Sequence, residues 1–171
     1  MNKKIEIPFD SRIQETLAAL ADPGLLLVTQ GKDGKPNAMT IGWGTVGTVW
    51  GQPMFVVLVR PSRYSYGLLE ENGDFTVNVM PDAMEDVILY CGTVSGRDAD
   101  KFADKGLAPM PAVEVNAPII AESRIAYECR TVGTTDLLPE GLEEAIRQSA
   151  YPKDDYHRVY FGKILCTRAD D

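Results

Sequence analysis

Met54 to Val59 is an unbroken apolar run rich in β-branched residues, the signature of a strand with no solvent-facing side. Leu25 to Thr29 is a second such run, and Pro36 to Trp43 and Thr45 to Trp50 read as further strands. Phe75, Val77 and Val79 alternate with Thr76, Asn78 and Met80, the pattern of a half-buried strand. Across Arg124 to Val132, Ile125, Tyr127 and Cys129 alternate with Arg124, Glu128 and Arg130, and Val159 to Thr167 closes the chain as a strand. Strands cluster early and late, with short helices between them and no regular βαβ rhythm. That order predicts a mostly antiparallel barrel with peripheral helices.

The punctuation agrees. Ser11 to Gln14 has a capping-box pattern, Ile13, Leu17 and Leu20 repeat at helical spacing, and Asp22-Pro23-Gly24 stops that helix. Gln30 to Lys35 reads as a hairpin turn, and Gly51-Gln52-Pro53 breaks a strand. A helix is expected over Ser62 to Glu71, closed by Asn72-Gly73, and another over Ala83 to Tyr90. Asp98 to Lys105 is expected to be a short helix capped by Asp98 and closed by Gly106, and Gly141 to Ser149 a surface helix. Pro109, Pro111 and Pro118 mark an irregular or edge-like passage. Without repeats or linkers, residues 1–171 are expected to form one domain.

Charge and composition exclude several functions. Seventeen basic residues against twenty-five acidic ones give a net charge of −8, which argues against nucleic acid and against an anionic membrane as partners. No apolar run approaches the ~20 residues of a membrane span, and no secretory h-region follows Met1-Asn2-Lys3-Lys4, so a cytoplasmic location is expected. The three cysteines, Cys91, Cys129 and Cys166, form no C-x-x-C pair and read as small buried hydrophobes. With a single histidine, His157, no metal site is expected.

Against that acidic background, Val59-Arg60-Pro61-Ser62-Arg63-Tyr64-Ser65 stands out. It places two guanidinium groups and two hydroxyls where a strand gives way to a helix. A helix start offers unpaired N–H groups and a partial positive charge, and arginine forks match phosphate oxygens. The same residues would also make a solvated strand end with Ser62 as an ordinary N-cap. Gly42-Trp43-Gly44-Thr45-Val46-Gly47 matches G-x-G-x-x-G literally, but Thr48 to Pro53 is a poor helix and no acidic residue lies about twenty positions on. A dinucleotide fingerprint is therefore rejected.

Several segments, in order, resemble the flavin reductase-like, FMN-binding split-barrel family, with its flavoredoxin branch the nearest comparison. Pro36 to Gly44 resembles the first cofactor-contacting strand, Val59 to Ser65 the phosphate-side segment, and Asp74 to Val79 the strand after it. Cys91 to Asp98 with Lys101-Phe102 resembles the next loop and helix, and His157 to Ile164 the closing strand. The likeness runs from Leu17 to Leu165. It implies a mainly β fold, a six-stranded antiparallel Greek-key split β-barrel with short peripheral α-helices, in a homodimer with FMN near the subunit interface. It implies NAD(P)H as transient co-substrate, passing a hydride to the flavin N5, and an NAD(P)H-dependent flavin oxidoreductase. Two alternatives stay open: a flavoredoxin-type FMN electron carrier serving a redox partner protein, and a non-catalytic split-barrel ligand-binding module.

On that resemblance Arg60, Ser62, Arg63 and Ser65, with Pro61 and Tyr64, form the phosphate set. Asn37, Ala38, Met39, Thr40 and Ile41 run along the isoalloxazine, and Trp43 either flanks the ring or serves the dimer contact. Ser95, Gly96, Arg97 and Asp98 form a second polar loop, with Lys101 following, although Asp98 equally suits a helix cap. His157 suits either the nicotinamide side or a structural role.

Overall fold

In the computed structural model, which describes residues 3–171, the strands are Lys4–Glu6 (β1), Leu25–Gln30 (β2), Pro36–Ile41 (β3), Gly44–Val49 (β4), Gln52–Val59 (β5), Asp74–Val79 (β6), Pro109–Met110 (β7), Ile119–Ile120 (β8), Ile125–Asp136 (β9) and Arg158–Asp170 (β10). The α-helices are Ile13–Ala21 (α1), Tyr64–Asn72 (α2), Glu85–Thr93 (α3), Lys101–Lys105 (α4) and Glu144–Ala150 (α5). The main sheet runs β3-β2-β6-β9-β10-β5-β4, antiparallel throughout, and β1 pairs with β10. It thus has eight strands rather than the six expected, and β7 and β8 form a separate pair. The thirteen-residue β10 is long enough to serve β1, β5 and β9 together.

The connection between β3 and β4 makes this sheet a split barrel. The two strands lie at opposite ends of the hydrogen-bonded order, yet only Gly42 and Trp43 separate them in sequence. Two residues span at most ~7 Å, so the sheet must curl until its ends meet. Leu20, Leu25, Leu27, Phe55, Val57, Phe75, Val77 and Tyr127 fill the interior.

Side-chain alternation explains why β2 is apolar on both faces. Leu25 and Leu27 point into the barrel, while Leu26 and Val28 join Ala38, Val87, Ile88 and Phe102 in a second core under α3 and α4. At β6 the expected half-buried pattern is corrected: all six residues are buried. Its polar face is covered by the proline-rich passage, which is strapped down. Thr76 Oγ1 donates to the Pro118 carbonyl (2.7 Å), Asn78 Oδ1 accepts from Ile120 N–H (2.9 Å), and Asp74 Oδ2 accepts from Asn116 N–H (3.2 Å).

Several helix starts differ from expectation: two expected serine caps are engaged elsewhere, and one helix begins later than its expected cap. Ser11 does not cap α1; its hydroxyl donates to the Pro8 carbonyl, and Arg12 stands at the N-cap. Ser62 does not cap α2; it donates to Asp155 Oδ2 (2.5 Å), and the helix starts at Tyr64 behind Arg63. Asp100, not Asp98, caps α4 by accepting from Ala103 N–H (3.1 Å), while Gly106 closes it in the left-handed region as expected. The strand ending in Trp50 stops at Val49, because Trp50 (φ +52°) and Gly51 (φ +69°) form the tight β4–β5 turn. The G-x-G-x-x-G stretch runs from a loop into β4, with no helix after it.

Candidate functional site

The strand β5 ends at Val59, and the turn through Arg60 to Arg63 delivers the chain into α2. Arg63 sits at the N-cap position with extended backbone and no side-chain cap. The Tyr64 and Ser65 N–H groups have no acceptor among the described residues, and neither does the Arg63 guanidinium have a partner there. The first turn of this nine-residue helix is therefore an open cluster of donors.

That cluster opens on a cavity of about 230 Å³. Its walls bring together Asn37, Met39 and Thr40 from β3, Ser62 to Ser65 from the turn and α2, Ser95 to Arg97 from the next loop, and Lys101 from α4. Asn37 Nδ2 donates to Ser65 Oγ (2.8 Å), and Arg97 donates to the Ser62 carbonyl (3.1 Å) while lying over the Tyr64 ring. Lys101 is buried; its ammonium donates to the Ala38 and Cys91 carbonyls, both at 2.8 Å, tying β3 to the end of α3. Burial pushes that ammonium below its ordinary value; the Cys91 thiol opposes the shift and Arg63 adds to it.

Gly96 is placed by close packing. A Cβ there would lie 2.0 Å from Asn37 Oδ1 and 2.7 Å from Tyr64 Cδ1. Gly96→Ala is therefore expected to prise the loop from β3 and α2, at a cost of ~1–3 kcal/mol in stability measured by chemical denaturation. A wild-type midpoint would show that the loop yields freely.

Met39, Thr40 and Arg63 also border a second, smaller cavity of about 70 Å³, completed by Ile41, Gly42, Trp43, Leu58, Arg60 and His157. The two spaces thus share a wall along β3. Thr40 is fixed there by donating to the Ile88 carbonyl. His157 is buried, its Nδ1 is 2.8 Å from the Tyr151 hydroxyl, and its ring centroid is 5.0 Å from that of Trp43. Burial and Arg60 hold the imidazole down to about 4, with Asp155 opposing and Arg63 reinforcing. The ring is neutral at neutral pH.

The structure separates some residues that the sequence grouped. Arg60 faces the smaller cavity, and its guanidinium donates to the Asp155 (2.6 Å) and Ala150 (2.9 Å) carbonyls. Ala38 points into the second core, Pro61 is exposed in the turn, and Asp98 lies in a neighbouring open groove; none of the three lines either cavity. Conversely, Cys91, Gly92, Thr93 and Val94 line the larger cavity, although the resemblance named site residues in that segment only from Ser95 onward. The helix expected to end at Tyr90 runs on to Thr93 and carries them there. Gly92 was the available signal: a small residue late in a helix marks a close approach, here to Thr40.

Residues 18–167 match the family model described as flavin reductase like domain. An uncharacterized protein of Archaeoglobus fulgidus is 32% identical over 98 residues, 57% of this chain and 55% of that protein. The chain spans about half the length of the curated relatives it matches. Among solved structures, the flavoredoxin of Desulfovibrio vulgaris (Miyazaki F) superposes with a TM-score of 0.70 at 27% identity, over 87% of this chain and 70% of that one. The flavoredoxin from Methanosarcina acetivorans does so with a TM-score of 0.69 at 29% identity, over 87% and 69%.

Proposed function

Because the chain belongs to the flavin reductase-like domain family, we propose that it binds FMN across the two adjacent cavities and passes electrons to it from NAD(P)H. The observation that carries this reading is the open start of α2. Two N–H groups and a guanidinium, all without partners among the described residues, and a hydroxyl already oriented by Asn37 converge on one space, and their chemistry fits a phosphate. In this reading Arg63, Tyr64 and Ser65 hold the phosphate. Arg97 and Gly96 form the opposite wall, and Met39 to Ile41 lie along the ring system. Trp43 and His157 bound its far end. The flavin, when bound, supplies the two-electron carrier; the residues supply position and field. Trp43 and Trp50, both exposed, support the homodimer that the resemblance implies.

The flavoredoxin neighbours favour a second reading on equal terms, an FMN electron carrier fed by another reductase. Three measurements separate the readings: the visible spectrum of the protein with FMN, its FMN affinity, and steady-state NAD(P)H oxidation with added FMN. A flavin reductase is expected to turn over NAD(P)H with free FMN. A carrier is expected to retain FMN tightly and oxidise NAD(P)H slowly. Protein that takes up no FMN in titration would leave only the non-catalytic ligand-binding module.

A further inference from the structure

Between β9 and β10 the chain makes an excursion, residues 138–156, that contains α5. It is almost wholly surface: α5 buries no residue, and Tyr151 is the excursion's one buried side chain. The Tyr151 ring stacks on Tyr156 with centroids 4.8 Å apart, lies under the Arg60 guanidinium at 4.9 Å, and presents its edge to His157. Its hydroxyl makes one hydrogen bond among the described residues, to His157 Nδ1 at 2.8 Å.

The direction of that bond follows from proton count. A phenol has one proton, and a buried O–H without an acceptor is costly. No other acceptor among the described residues is in reach, so the Tyr151 O–H donates and Nδ1 accepts. A neutral imidazole has one N–H, which is left on Nε2. Nε2 has no protein partner among the described residues, and His157 lines the smaller cavity beside Thr40 and Trp43. We infer that Tyr151 is a positioning residue: it locks His157 as the Nε2–H tautomer, so that the smaller cavity offers one uncharged donor to a carbonyl oxygen of the bound ring system.

The charged surroundings act in the same sense. Arg60 from the end of β5 and Arg63 from the following turn disfavour an imidazolium; Asp155 from the excursion favours it, and the Tyr151 and Tyr156 phenols are uncharged at neutral pH. An imidazolium would select an anion, whereas a neutral N–H suits a carbonyl such as that of a flavin pyrimidine ring or a nicotinamide carboxamide. Only the identity of that carbonyl rests on the flavin reading; the tautomer does not.

The chain has one histidine, so its imidazole NMR signals belong to His157 without assignment. In the ligand-free protein a single Nε2–H tautomer is expected at pH 7, titrating near 4. In Tyr151→Phe both tautomers should appear, while the midpoint should stay well below the ordinary 6.5, because the burial and the Arg60 charge that depress it remain. An Nδ1–H tautomer in the wild type, or an unchanged ring in Tyr151→Phe, overturns the inference whether or not the protein binds flavin. Two further variants test the donor. His157→Gln, whose amide can reach the Nε2 position, should keep the affinity that His157→Leu loses by about 2- to 10-fold. Loss in FMN titration identifies a flavin carbonyl, and loss in the NAD(P)H KM alone identifies the carboxamide. No loss in either refutes the donor.

Discussion

Arg63→Ala is expected to weaken FMN binding by ~10- to 100-fold while changing riboflavin affinity little, because only FMN carries the phosphate. A hydrogen bond to a charged group contributes ~1.5–3 kcal/mol, and Arg63, at the open start of α2, is a guanidinium with no partner among the described residues. The companion variant Arg60→Ala separates this from a general charge effect. Arg60 holds the carbonyls of Ala150 and Asp155, so its removal should loosen the 138–156 excursion and affect both flavins alike. Isothermal titration with the two ligands gives the comparison directly. Equal losses for FMN and riboflavin in Arg63→Ala would move the phosphate away from this helix.

The contrast between the two arginines shows where sequence reading stops. Spacing placed both within reach of one helix start, and that local geometry is present. What separates them is the excursion from β9 to β10, about ninety residues downstream of Arg60, which offers carbonyls to one guanidinium and none to the other. Long-range partners of this kind leave no trace in a local pattern. The strands were legible because alternation and β-branched runs are local signals, as in β5 and β9. Those signals mark seven of the eight strands of the main sheet; the eighth, β1, was not legible, because it is three residues long and gains its identity only by pairing with the end of β10. Ser62 and Asp98 had good capping chemistry, but Ser62 meets Asp155 instead, and Asp98 falls short of a helix that begins at Lys101. Gly96, Ser65 and Asn37 converge on one cavity, and the reason, a backbone approach with no room for a Cβ, is visible only in three dimensions.

Glu128 was read from alternation as lying on the polar face of β9, and it does, but that face is covered. Its carboxylate is fully buried; Oε2 accepts from the Val113 (2.9 Å) and Glu114 (2.8 Å) N–H groups, and Oε1 pairs with Arg168 at 2.8 Å. Arg168 in turn donates to the Pro111 carbonyl (3.0 Å), so one buried ion pair pins the start of the strap that shields β6. Glu128→Ala is expected to cost ~3–5 kcal/mol, because it leaves the nearly buried Arg168 charge without its counterion and two N–H groups without acceptors. Against the ~5–15 kcal/mol that holds a typical domain together, this is a large loss from a single replacement outside the site. Glu128→Gln keeps an acceptor for the strap and surrenders only the charge, so it should fall between the two. Urea denaturation reads both: a lower midpoint at constant slope means that the clamp stabilises the whole barrel, while a shallower slope means that the strap alone has come away and exposed the polar face of β6 in the native state. A loss below ~1 kcal/mol in Glu128→Ala would show that water replaces the carboxylate and that the strap is held by Asp74, Thr76 and Asn78 instead.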